Sequence, residues 1–177
     1  MAKQVNEQKP AIIKPRVQLP DQVSAAAKAM LHKGTNEEAL AMLGPDWLEF
    51  TTAPIGSESW MTLQTAAMKK LSDIGSERVM VLRHMMIRPI NKDEVVNGQV
   101  QHDEYINMVF DFGEDGVYQT YSRTVRNAVG VMMIGFAKKW PEWGVRVKVS
   151  RQSTGKESMA IFMQVLGSEP EPFKIPD

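Results

Sequence analysis

Apolar positions recur along this chain with two periods, and the switches between them divide it into elements. From Asp21 onward, Val23, Ala26, Ala27, Met30 and Leu31 share one helical face, with Asp21 as N-cap and Gly34 as stop. That spacing predicts a helix over 21–33. Thr35 and Glu38 form a capping-box pair that opens a second short helix, ended by Gly44-Pro45, and the two make an αα-hairpin. Trp60, Leu63, Ala67 and Leu71 fall at helical spacing and predict a third helix from Ser57 or Ser59 to Ile74, before Gly75.

The period then shortens. Arg78 to Ile90 is dominated by Val, Met, Leu and Ile and reads as one long strand ended by Pro89. Polar residues 91–103 read as a flexible loop. Tyr105 to Phe112 and Val117 to Tyr121 read as strands joined by a turn over 113–116. Ser122 caps a helix reaching about Lys139, with Val125, Val129, Met132 and Phe136 inward, and Pro141 and Gly144 break it. Val145, Val147 and Val149 alternate with Arg146, Lys148 and Ser150, a half-buried strand, and a turn at 154–156 leads to a last strand over 159–166. The order predicts an α+β fold: an antiparallel sheet of about five strands, a helix between hairpins, and a helical N-terminal region. Residues 1–20, with prolines at 10, 15 and 20 and four cations against Glu7, read as an extended basic arm. Residues 21–167 form the domain and 168–177 a proline-rich acidic tail.

Composition narrows the function classes. The chain has 177 residues, 43% hydrophobic and 24% charged, with 21 basic and 21 acidic side chains, which excludes a strongly basic packaging protein and a wholly acidic mimic of nucleic acid. It has no cysteine, so disulfide scaffolds, thiol catalysis and Cys-ligated metal centres are excluded. No apolar run approaches the ~20 residues of a membrane span, and the N-terminus has no apolar signal core, so a cytoplasmic location is expected. Phosphate-loop, dinucleotide and nucleophile-elbow motifs are absent. His84 lies in an apolar strand and reads as a core or rim histidine. The expectation is a non-enzymatic protein without a cofactor or metal. A metal-dependent nuclease using Asp103, Glu104 and Asp111 is a third-ranked reading.

Charge is segregated. Residues 120–152 hold seven cations (Arg123, Arg126, Lys138, Lys139, Arg146, Lys148 and Arg151) against Glu142, whereas 91–116 hold seven acids against Lys92. These segments either pair with each other, within a chain or between subunits, or the basic one tracks a phosphate backbone. Single-stranded nucleic acid needs cations for phosphates and aromatic faces for bases. On that reading Arg123, Arg126, Arg146, Lys148 and Arg151 contact phosphates, and Tyr118, Tyr121, Trp143 or Phe162 stack on bases. Arg146, Lys148, Phe162 and Gln164 are expected on one sheet face. Thirteen methionines, many in the predicted strands and helices, suggest apolar faces that one domain cannot cover. A homo-oligomer is therefore expected.

The last residues, Glu169, Glu171 and Pro172-Phe173-Lys174-Ile175-Pro176-Asp177, resemble the acidic tails of small single-stranded-DNA-binding proteins of bacteria and their phages. Those tails carry a proline- and phenylalanine-containing peptide that recruits partners. The resemblance implies single-stranded DNA binding of low specificity in replication, recombination or transcription. It implies a phage-encoded protein in the bacterial host cytoplasm, and a polymerase or similar partner for the tail. The sheet order would then make the fold Whirly-like or novel rather than an oligonucleotide-binding barrel. The runner-up is a structural or adaptor protein that forms protein–protein interfaces through a Met-rich sheet.

Overall fold

The computed structural model describes residues 20–168 except 46, 48, 137 and 156–158. The expected arm (1–19) and tail (169–177) lie outside the described residues. The chain is α+β, with four α-helices and two sheets among the described residues. Helices α1 (Pro20–Leu31) and α2 (Asn36–Leu43) form the expected hairpin. Thr35 accepts from the Glu38 N–H at 3.2 Å, and the Glu38 carboxylate accepts from the Thr35 N–H at 2.8 Å, so the capping box closes as read.

After β1 (Phe50–Thr51), helix α3 (Glu58–Thr65) stops nine residues before its expected end at Ile74. A short strand β2 (Lys69–Lys70) and a 3₁₀ turn (Leu71–Asp73) follow. Leu63 and Leu71 are both buried, but in separate elements, and Ala67 is exposed. Helical spacing was here a coincidence of two short segments.

The single strand expected over 78–90 is two, β3 (Arg78–Leu82) and β4 (His84–Val96), which break at Arg83 and enter different sheets. Pro89 does not end β4. The expected loop over 91–103 is the far half of a long hairpin in which β4 pairs antiparallel with β5 (Gln99–Asp111) from His84↔Asp111 to Val96↔Gln99. Asn97 and Gly98 turn it with φ of 54° and 78°, the two left-handed positions that a type I′ hairpin demands. β6 (Val117–Thr120) follows a 3₁₀ turn, and α4 (Arg123–Gly135) ends four residues before its expected end at Lys139. β7 (Val145–Ser153) and β8 (Met159–Gly167) form as read.

The expected single sheet is therefore two. One has the order β1-β4-β5-β6-β2, with β2 parallel to β6 and the rest antiparallel, and the other is β3-β7-β8. Both faces of the near half of the larger sheet, around residues 85–87 and 106–110, are covered by this chain itself. Met85, Ile87, Met108 and Phe110 join the main core with α1, α2 and α4, while Met86 and Val109 pack with Leu63 of α3. Met80, Met132 and Met133 are interior as well. Most of the described methionines thus fill the core, while Met42, Met61 and Met159 are exposed. Gly130 lets α4 cross α1, since a Cβ there would lie 2.7 Å from Leu31 Cγ and 3.2 Å from the Ala27 carbonyl. Among the described residues no helix is long and apolar enough to cross a membrane.

Candidate nucleic-acid interface

The smaller sheet has one face packed into the core and a second that is only partly exposed. Parity decides which residues go where. On β7, Val145, Val147 and Val149 are buried, and Met80 and Leu82 of β3 join them. Arg146 and Lys148 take the other face. The register pairs Lys148 with Gln164 and Ser150 with Phe162, so Arg146, Lys148, Phe162 and Gln164 share one face as expected. Val79 and Val81 of β3 extend it, opposite Lys148 and Arg146. Lys148 forms an ion pair with Glu77 at 3.4 Å.

This face runs into a cleft of about 630 Å³ at the junction of the two sheets. Val79, Val81, Phe112 and Trp143 supply its apolar lining, and Arg83, Arg146, Glu114 and Asp115 its charges. Trp143 is 64% exposed, a large indole held in solvent at the mouth. The break between β3 and β4 builds the cleft wall. There the Arg83 N–H donates to the Asp111 carbonyl at 2.8 Å, and the Arg83 carbonyl accepts from the Trp140 indole N–H. Gly144, with φ of 82°, is required beside it, because a Cβ would lie 2.3 Å from the Leu82 carbonyl oxygen. Asp115 is held by Arg78. Among the described residues no ion pair engages Arg83, whose guanidinium stem lies over Gly113. Arg83 is one of three arginines, with Arg78 and Arg88, in the apolar run that predicts a continuous strand over 78–90, so the sequence does not single it out.

The other expected contact residues separate. Arg126 is fully buried, its Nη2 donating to the Gly34 carbonyl at 3.2 Å while Nε and Nη1 have no partner. Burial, and secondarily Arg123, lowers its pKa. Tyr118 is 6% exposed and packs edge-on to Phe112, with its ring under the Lys69 ammonium at 5.4 Å. Neither can meet a nucleic acid as expected. Arg123 and Arg151 are exposed but lie toward α4, because Arg151 has the parity of the buried valines and pairs with Ile161, whose carbonyl accepts from Thr124 of α4. Tyr121 is exposed against Tyr105 on the larger sheet, with ring centroids 5.9 Å apart. Of the nine expected residues, the outer face and cleft thus gather Arg146, Lys148, Trp143 and Phe162.

Other polar clusters lack the geometry of a reaction centre. Asp103 and Glu104 neighbour each other on β5 and so face opposite sides, and Asp111 lies eight residues further along it, about 26 Å away. The carboxylate trio of the nuclease reading does not converge, and among the described residues no three potential metal ligands do. Glu49, raised in pKa by burial, accepts from Gln64 at 3.1 Å, and Gln64 accepts from Arg88 at 3.2 Å, a half-buried string that ties α3 to β4. His84 is lowered in pKa by burial, against the opposing pull of Asp111.

No protein-family model matches this chain, and neither a curated protein nor a solved structure shows significant similarity to it.

Proposed function

We propose that this chain is a non-enzymatic protein that binds single-stranded DNA with little sequence preference, in replication, recombination or transcription. The supporting observation is the cleft mouth, where a 64% exposed Trp143 stands beside Arg83 and Arg146 and opens onto the face of Lys148, Phe162 and Gln164. A cation track beside an exposed indole is what a flexible strand needs, phosphates on the one and a base on the other. Arg83 joins Arg146 and Lys148 as a phosphate contact, and Trp143 and Phe162 are the stacking surfaces. Ser168, the last described residue, lines the cleft, and the acidic segment from Glu169 follows it in sequence. On this reading that segment competes with phosphate or recruits a protein partner.

Fluorescence anisotropy of a labelled single strand of ~30 nucleotides, against the matching duplex over a salt series, tests the reading. Preference for the single strand with affinity falling as salt rises is expected. The double variant Arg146→Ala, Lys148→Ala should reduce the slope of log affinity on log salt by about 1.4, at ~0.7 per lost phosphate contact. Trp143→Ala should weaken binding about tenfold at every salt concentration. No binding at low salt, or an unchanged slope in the double variant, refutes the assignment.

A further inference from the structure

The β4–β5 hairpin extends well past the sheet it belongs to. β1 pairs with β4 only at Met86 and Ile87, and β6 pairs with β5 only from Met108 onward. From Asn91 to Glu104 the two strands pair with each other alone among the described residues. A two-stranded ribbon is marginally stable in water, and both its edges carry unpaired backbone groups. Its tip is apolar. Val95, Val96 and Val100 are 73%, 44% and 57% exposed, and Val95 stands opposite Val100 across the pair. Behind them come Asp93, Glu94, Asp103 and Glu104, with Asp93 accepting from His102 and Glu94 from Lys92.

The cleft offers an apolar lining of Val79, Val81, Phe112 and Trp143, with Arg83 and Arg146 at its edge beside Glu114 and an Asp115 already held by Arg78. An arm cannot reach the cleft of its own chain. The cleft lies where β4 begins and β5 ends, beside Arg83 and Phe112, and the tip lies at the opposite end of both 13-residue strands, about 40 Å away. Pairing arm to arm would instead bring acidic collars together, which is repulsive.

We propose that the hairpin arm of one copy docks in the cleft of a second copy, valines into the apolar lining and carboxylates toward Arg83 and Arg146. Each copy then carries one plug and one socket. Such a heterologous contact links copies head to tail into rings or open chains. It involves the same cleft as the proposed DNA site, so an incoming strand and a neighbouring arm compete for it.

Sedimentation and light scattering without DNA test the contact, so its failure is separable from failure of DNA binding. The native chain should grow in mass with concentration and return to monomer as salt rises from about 0.05 to about 0.5 M. Val95→Ser with Val100→Ser touches only exposed positions and should give monomers with unchanged circular dichroism, as should Trp143→Ala. Mixed together, these two variants should form a 1:1 complex and nothing larger, because each retains one half of the contact. A monomeric native chain at low salt overturns the proposal, as does undiminished assembly in the double valine variant. So does assembly that survives in that variant yet vanishes when the chain is ended at Ser168, which would make the tail the occupant.

Discussion

Replacing Arg126 by Met removes a charge from the interior while keeping a side chain of similar length. Arg126 is fully buried between α4 and the α1–α2 connection, with one hydrogen bond, from Nη2 to the Gly34 carbonyl at 3.2 Å. Its Nε and Nη1 are buried without a partner. Each buried unpaired donor costs about 1–3 kcal/mol, and a hydrogen bond from a charged group contributes about 1.5–3 kcal/mol. Two orphaned donors against one bond leave a deficit of about 1 kcal/mol, which Arg126→Met relieves because the flexible thioether chain fills the same space. Gly34 is only partly buried, so water can satisfy the freed carbonyl. For a domain of this size that is a rise in Tm of about 2–4 °C. Arg126→Ala separates charge from volume: it removes the same charge but leaves a cavity and should lower stability by about 2–4 kcal/mol. Urea unfolding monitored by circular dichroism measures both. If Arg126→Met loses 1 kcal/mol or more, the guanidinium is compensated in solution and the accounting of its partners is wrong.

Two further outcomes follow from the packing and the titrating groups. Gly130→Val should lower stability by about 2 kcal/mol, because the added carbons meet Leu31 and the Ala27 carbonyl where α1 and α4 cross, whereas Gly135→Ala in the same helix has open space and should be neutral or gain up to about 1 kcal/mol; thermal melts of the two variants check the contrast. His84 has its pKa held below its ordinary 6.5 by burial, so the unfolded chain takes up the proton first, and stability should fall as pH drops through 6.5 toward the folded value. Melting curves from about pH 8 to about pH 5.5 should show that decline, and His84→Gln should flatten it.

Much of the fold was legible where a local pattern and the tertiary requirement agreed. The capping box of Thr35 and Glu38 and the alternation of Val145, Val147 and Val149 each name an element and its inward face, and both appear as read. The failures share a cause. Periodicity reports that residues could share a face, not that one element carries them, and Leu63 and Leu71 reach the core from an α-helix and a 3₁₀ turn. Likewise an apolar run cannot show a strand changing sheets, although Arg83 stands at the break. The polar residues 91–103 masked a hairpin because neither face of the ribbon is buried, so no alternation marks it. Asn97-Gly98 was the one available sign, and it is a specific one.

The candidate interface was legible in part, for reasons of geometry rather than charge. Seven cations close together in sequence suggest one surface only if they share a side, and strand and helix distribute them differently. On β7, parity sends Arg146 and Lys148 to one face and Arg151 to the other. On α4, which is clasped between α1 and β8, the buried arc is wide enough to include Arg126 beside Gly130 and Met133, leaving Arg123 outside. The ion pairs drawn between described residues do not join the basic segment to the acidic one; Lys148 pairs with Glu77 and Asp115 with Arg78. Long separation along the hairpin explains why, since the arm's carboxylates and the cleft's arginines occupy opposite ends of the same two strands. Within one chain the arm's carboxylates therefore lie too far from those arginines to pair with them, whereas Glu114 and Asp115 of the same acidic segment line the cleft beside Arg83 and Arg146.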